Sequence, residues 1–389
     1  MNSRTVYLPG LNGLRAIAAL AVVITHITFD LESFNLDPFI LGTNKNGMPR
    51  GIDLAGFGVS IFFAISGFLI TFLLQNEKEV QPINIKNFYL RRILRIWPLY
   101  YLYLSIAILT ILVFGFDLNI KSLFLYLFFA ANIPYILYIP LKFVTHYWSL
   151  GVEEQFYLFW PWVNKKINRI ILFIVPAIVI LIGIKLFLHF FYPHSIIERI
   201  IHITRFHCML IGALGAILYK QKNKFFLKFA DNKLSQAISL AIILALIINK
   251  FHIASVLDNE IVSAVTVVLI IGQINIKNRM LNLDSDVLDF LGKISYGIYV
   301  YHPLVIFFVS KVLSGMETQS IYKYIIVYSS STVATVLISY LSYEYIEKYF
   351  LRLKRNISVI HSSGTKHYTQ EDYDKSQPLP VTTPMKAGS

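Results

Sequence analysis

The sequence predicts an all-α fold, a polytopic bundle of about ten transmembrane helices with one further re-entrant or outer-surface segment. Three observations predict it. Of the 389 residues, 56% are hydrophobic and only 15% charged, where a soluble domain carries about 25% charged residues. Apolar runs near the roughly 20 residues that span a bilayer recur along almost the whole chain. The formal charge of +13 sits mostly in short connections between those runs, the pattern that sets membrane orientation. It is not the clustered basic face of a nucleic-acid binder, and no stretch reads as a soluble catalytic domain.

In order, the spans are expected at about 12–29, 54–75, 96–115, 147–163, 170–190, 201–219, 234–250, 261–276, 288–310 and 324–346. An eleventh apolar piece, about 121–139, is interrupted by Asn132 and Pro134 and followed by Pro140. If that piece does not cross, the connections hold 21 Lys and Arg on the N-terminal side and 9 on the other. If it crosses, every later loop inverts and the bias is lost. The positive-inside rule therefore places both termini in the cytoplasm and leaves 121–139 re-entrant or on the outer surface. Residues 30–53 become an outer loop. Residues 1–355 form one membrane domain, and the Ser-, Thr- and Pro-bearing stretch 356–389 reads as a polar, disordered cytoplasmic tail. The N-terminus lacks the small-residue cleavage pattern of a signal peptide. A single cysteine, Cys208, excludes an intrachain disulfide and any multi-cysteine metal site. As a nucleophile it lacks a context that would stabilise a thiolate, so packing is the expected role.

The first span is interrupted by only two strongly polar side chains, Arg15 and His26. Eleven residues is about three helical turns, so both point the same way, roughly 16 Å apart along the axis. Either Arg15 snorkels to the interface and His26 marks the far end, or the pair lines an interior pathway. The third span begins Arg91-Arg92-Ile93-Leu94-Arg95. Arg91 and Arg95 share a helix face, and guanidinium groups clamp phosphates bidentately; a basic anchor beside an aromatic belt is the blander reading. The fourth carries Glu153-Glu154 at its start, which packing alone does not explain. In the ninth, His302 lies deep in the helix. The following Pro303 leaves a backbone carbonyl unpaired. His302 is open between a second acid/base and a packed polar residue; His202 and His207 read as structural.

Six short motifs fall in one order over about residues 7–350. They are the Arg15–His26 pair, Phe63-x3-Ser66-Gly67-Phe68-Leu69, Arg91-Arg92-x2-Arg95-Ile96-x-Pro98, Trp148-Ser149-Leu150-x2-Glu153-Glu154-Gln155-Phe156-Tyr157, Thr204-Arg205-Phe206, and Ile294-Ser295-Tyr296-x2-Tyr299-x2-His302. Together they resemble the acyltransferase 3 family of integral membrane acyltransferases. One departure is Tyr349, which stands where the family's Ile-Glu-x-Pro ending has proline; it reads as a change in helix termination. Some members carry a fused esterase-like domain, and this chain is expected to be a stand-alone form.

The resemblance implies transfer of an acyl group, usually acetyl, from cytoplasmic acyl-CoA to a hydroxyl of an extracytoplasmic glycan, in the bacterial inner membrane. Acyl-CoA is then a co-substrate, with no bound cofactor or metal, and the partners are acyl-CoA, a glycan or lipid-linked glycan acceptor and the bilayer. It makes His26 the catalytic histidine and Arg15 its partner in positioning the donor. A sugar hydroxyl needs a base whose pKa lies near the working pH. His26 is expected to take its proton, directly or through an acyl-histidine relay. Glu153 orients it or balances its charge, and Ser66, Tyr299 or Arg205 stabilises the oxyanion. Arg91, Arg92 and Arg95 are expected at the CoA phosphates. The rival reading is a transporter or flippase of a lipid-linked saccharide, which the absence of inverted repeats in the motif spacing disfavours.

Overall fold

The computed structural model describes residues 4–44, 47–247, 256–316, 321–358 and 360–362. It is a helical bundle in which every expected span meets a helix. These are α1 (Leu11–Phe29), α2 (Leu54–Val80), α3 (Ile85–Val113), two short helices α4 (Ile120–Leu127) and α5 (Asn132–Ile136), α6 (Trp148–Lys166), α7 (Ile171–Phe191), α8 (Ile196–Thr204) and α9 (Phe206–Lys220). After them come α10 (Lys224–Ala230), α11 (Lys233–Ile247), α12 (Asp258–Ile274), α13 (Asp286–Lys293), α14 (Ser295–Leu313), α15 (Ile321–Ser342) and α16 (Lys348–Asn356). The end of the 234–250 span, Lys45, Lys250 and the tail 363–389 lie outside the described residues.

Among the described residues seven helices are long and apolar enough to cross a membrane; α10 and α11, bent by 59°, would make an eighth. The two remaining expected spans, α6 and α12, fall short for a physical reason. Helix α6 carries Glu153, Glu154 and Gln155, and α12 is only 17 residues long. Neither needs a lipid-facing apolar surface all round. Helix α12 is buried along almost its whole length, packed on α2 and α9, and its polar groups find protein partners.

Glycine sets how tightly the centre closes. A Cβ on Gly67 of α2 would stand 1.9 Å from the Met209 carbonyl oxygen, and one on Gly212 of α9 would stand 2.0 Å from that of Ala64. Each helix thus presses its backbone into the other, the close approach that small residues permit between membrane helices.

The segment 121–139 does not cross. Helices α4 and α5 dip into the bundle. The Phe129 ring, at φ +56°, lies 5.3 Å from Trp97 and 4.2 Å from Tyr100. Asn132 and Gln155 exchange amide hydrogen bonds of 2.7 and 3.2 Å. Gln155 lies seven residues into α6, about 10 Å from its start, so the segment packs against the side of α6 rather than standing free of the bundle.

Helix α7 faces outward, with only Ile174, Lys185 and Leu188 buried. Besides the apolar packing of Ile174, Ile178 and Leu181 on the core, an ionic tie holds it. Glu260 of α12 accepts from Lys185 Nζ at 2.6 Å and pairs with His207 Nε2 of α9 at 2.8 Å. Cys208 beside it is buried and points to the Asn259 carbonyl at 3.7 Å, as packing predicts. Removing one partner of a buried ion pair strands a charge. Glu260→Ala, which leaves Lys185 buried and unpaired, should therefore cost about 3–5 kcal/mol, read as a fall in thermal unfolding temperature in detergent.

The chain past residue 355 is not all tail. Strand β1 (Arg4–Val6) pairs in parallel with β2 (Ile360–Ser362), Arg4 opposite Ile360 and Val6 opposite Ser362. The expected boundary near 355 therefore falls inside the described fold. Tyr349 explains part of this. A five-residue π-helical turn, Tyr343–Glu347, leads straight into α16, where a proline would have interrupted the helix.

Candidate active site

Helices α1 and α14 run side by side in the same direction. The end of α13, which leads into α14, is pressed on the start of α1, for a Cβ on Gly292 would meet the Asn12 carbonyl oxygen at 2.1 Å. Helix α2 runs the opposite way between them and α6. This arrangement strings the sequence-predicted residues along one polar path.

At the end where α1 and α14 begin, a cavity of about 600 Å³ opens. Its wall carries Arg15, Arg91, Arg92, Arg95, Lys293, Lys354 and Arg355 against a single carboxylate, Glu77. Glu77 is already spent on Arg91 at 2.7 Å, and Asp289 holds Lys293 at 2.6 Å. Among the described residues none of Arg15, Arg92, Arg95, Lys354 and Arg355 has a carboxylate at salt-bridge distance. Arg92 stands instead over the Tyr157 ring, 5.6 Å from its centroid, and its buried Nε has no partner. So many cations at one cavity wall repel one another and call for a polyanion. The terminal strands help to wall this cavity through Val6 and Ile360. Next to β1, Tyr7 donates to Asp284. Burial and that carboxylate push its phenol well above the usual range, so it remains a neutral donor.

Arg15, Leu69, Ile70, Arg92 and Arg95 also wall a second, deeper cavity of about 90 Å³. Its other lining residues include Ser66, Ser149, Glu153, Tyr157 and Tyr299. Ser66 donates to Glu153 Oε1 at 2.8 Å, and Tyr157 donates to Oε2 at 3.4 Å. Tyr299 closes the far end. Its hydroxyl donates to the His146 carbonyl at 2.7 Å and lies 2.6 Å from Ser149 Oγ.

Beyond Tyr299 lies a group of three imidazoles. The His302 ring stands 4.6 Å from His26, 5.0 Å from His146 and 6.0 Å from Tyr299. Their tautomers follow from the backbone. Proline 303 has no N–H, so the carbonyl of Tyr299 four residues back loses its helical partner; His302 Nδ1 takes it at 2.8 Å. His26 Nδ1 bonds the Val22 carbonyl at 2.9 Å. A carbonyl only accepts, so Nδ1 carries the proton in both neutral rings and Nε2 keeps its lone pair. His302 Nε2 is buried without a partner.

The structure brings together Arg15, Ser66, Arg91, Arg92, Arg95, Glu153 and Tyr299 along the two cavities, and His26 with His302 beyond them. Two expectations need correction. No contact joins Glu153 to His26: Glu153 lies in the deeper cavity with Arg15, on the other side of Tyr299, so it does not orient the histidine. Arg205 lines neither cavity. It sits at φ +43° between α8 and α9. Its Nη1 donates to Gly56 O, Ser60 Oγ and Asn259 Oδ1 at 3.1–3.3 Å, and its Nε donates to His202 O at 3.0 Å. It is a clamp between α2, α8 and α12 rather than an oxyanion donor.

Sequence reasoning missed His146 as a member of the imidazole group, although it stands directly before the Tyr-Trp-Ser-Leu run. It also read Lys293, Lys354 and Arg355 only as orientation signals. Their common cavity arises from folding α16 back onto α3, and spacing carries no trace of that.

Comparison with known proteins gives the family. The acyltransferase domain matches residues 8–344. The O-acetyltransferases OatA of Staphylococcus aureus strains NCTC 8325 and COL are 28% identical over 371 residues, covering 88% of this chain and 57% of theirs. A further protein of strain COL, whose name marks it as a candidate O-acetyltransferase, is 28% identical over 373 residues with the same coverage. The chain thus spans a little over half the length of the curated relatives it matches. No solved structure matches it. With the domain matched from residue 8 to residue 344, over a helical bundle in which most of its motifs line one path, the chain belongs to the acyltransferase 3 family.

Proposed function

We propose that this protein is a membrane O-acyltransferase that takes an acyl group, acetyl first among the candidates, from acyl-CoA. In this reading it passes the group to a hydroxyl of a glycan on the opposite side of the bacterial cytoplasmic membrane. The observation that carries the reading is the junction of the two cavities. A wide chamber walled by five cations with no carboxylate partner narrows, past Arg15, Arg92 and Arg95, into a small pocket that ends beside three imidazoles. A CoA molecule has this layout, with phosphates at one end and a thioester at the tip of a slender arm. The basic end then faces the cytoplasm together with both termini, and His26 serves the outer side. The membrane domain then includes the strand pairing at Ile360–Ser362, with the remainder of the chain cytoplasmic.

In the reaction the acceptor hydroxyl oxygen attacks the thioester carbonyl. The C–O bond forms, the C–S bond breaks, and the hydroxyl proton passes to His26 Nε2 and on to the departing thiolate. Ser149, whose hydroxyl lies beside that of Tyr299 on the pocket wall, is the one placed to turn and donate to the carbonyl oxygen as negative charge develops there. Glu153, held by Ser66 and Tyr157, sits with Arg15 along the donor's path. No bound cofactor or metal has a part in these steps. The acceptor class, an O-antigen, capsule or exopolysaccharide, rests on the family resemblance alone.

The test is thiol release from acetyl-CoA by purified protein in nanodiscs, with surface glycans added as acceptors. Arg95→Ala, which removes a cation common to both cavities, should raise KM for acetyl-CoA at least tenfold while kcat changes little. A protein that binds no acyl-CoA and releases no thiol, yet moves a lipid-linked saccharide, would overturn the reading in favour of a transporter.

A further inference from the structure

The two parts of the polar path do not run freely into each other. The deeper pocket ends on Phe62 and Tyr299, whose rings meet edge to face with centroids 5.9 Å apart. The histidines stand on the far side of Tyr299. The two rings are held very differently. Tyr299 is 5% exposed and its hydroxyl is fixed by Ser149 and the His146 carbonyl. Phe62 carries no polar handle. It lies one turn from Ser66 on α2, only partly buried, against the open space of the pocket. Tyr299 is thus anchored by hydrogen bonds, whereas Phe62 is held only by apolar packing against its neighbours.

The pocket they close is small. Its volume of about 90 Å³ is far below the roughly 300–1,000 Å³ of an ordinary small-molecule site. A short acyl group such as acetyl suits a space of that size. A longer chain would press on the aromatic rings at its end. We infer that Phe62 and Tyr299 form an aromatic gate that sizes the acyl group, Tyr299 as its fixed side and Phe62 as its moving side, so that only short acyl chains reach the histidines. The gate has a second consequence. While Phe62 is closed it bars water at the histidine end from a thioester waiting in the pocket.

This inference rests on the proposed acyl-CoA site, and the experiment separates the two. Wild type, Phe62→Ala and Phe62→Trp are compared in nanodiscs for kcat/KM with acetyl-, propionyl- and butyryl-CoA, and for thiol release without acceptor. One methylene in a fitted pocket is worth about 10–200-fold. Wild type should therefore prefer acetyl to butyryl by at least tenfold. Phe62→Ala should raise the butyryl-to-acetyl ratio at least tenfold and increase acceptor-independent hydrolysis of acetyl-CoA. Phe62→Trp should shift selectivity the other way, losing propionyl before acetyl. If wild type consumes acetyl-CoA but its selectivity is the same in both variants, the gate is refuted and the donor site stands. If wild type uses no acyl-CoA, the donor site fails and the gate with it. The two variants change ring size in opposite directions, so a folding defect common to both cannot imitate opposite shifts in a ratio.

Discussion

His26→Ala is expected to lower acyl transfer by about 10²–10⁴-fold, the usual contribution of a positioned general base, with KM for the donor unchanged. The reason lies in the hydrogen bond at its other nitrogen. Because Nδ1 is held on the Val22 carbonyl, Nε2 is the only nitrogen able to take a proton, and the helix fixes its direction. His302→Ala should cost less. In the proposed reaction it stands beside His26 and does not meet the acceptor, so it acts through the neighbouring ring. Steady-state kinetics with acetyl-CoA and an acceptor glycan would decide this. A His26→Ala protein that folds and transfers at the wild-type rate would remove the histidine from the chemistry.

The second large effect is on folding. Gly67→Leu should abolish the yield of folded protein, and Gly212→Leu should do the same. The Cβ of each would lie within 2.0 Å of a backbone carbonyl oxygen, so α2 and α9 must separate along the contact that centres the bundle. Overpacking of a tight core costs about 1–3 kcal/mol, and more where backbone has to shift; a protein of ordinary marginal stability does not absorb that. Gly183→Leu is the control, since nothing lies within 4 Å of a Cβ there. Monodisperse elution of a fluorescent fusion in detergent is the measurement. Wild-type elution of Gly67→Leu would refute the packing argument.

The sequence by itself determined the helical membrane class, the order of the helices and the non-crossing segment at 121–139. Each of these follows from local properties: the length of an apolar run, a proline inside it, and the charge of short connections. It also determined which end of the path is basic, because Arg15, Arg91, Arg92 and Arg95 lie near the starts of their helices. Only the tertiary structure decided which polar residues act together. Glu153 and His26 share a membrane half by position, yet the packing of α14 between them puts Tyr299 in the way. Arg205 belongs to a family motif, yet its fixed left-handed backbone hands its guanidinium to four protein acceptors. His146 joins His26 and His302 only because α1, α6 and α14 converge. Contacts of this kind depend on which helices are neighbours and on how each is rotated about its axis. Burying small residues such as Gly58, Gly67, Gly212 and Gly292 at close approach sets both, and hydrophobic patterning along a chain that is apolar on nearly every face does not encode them.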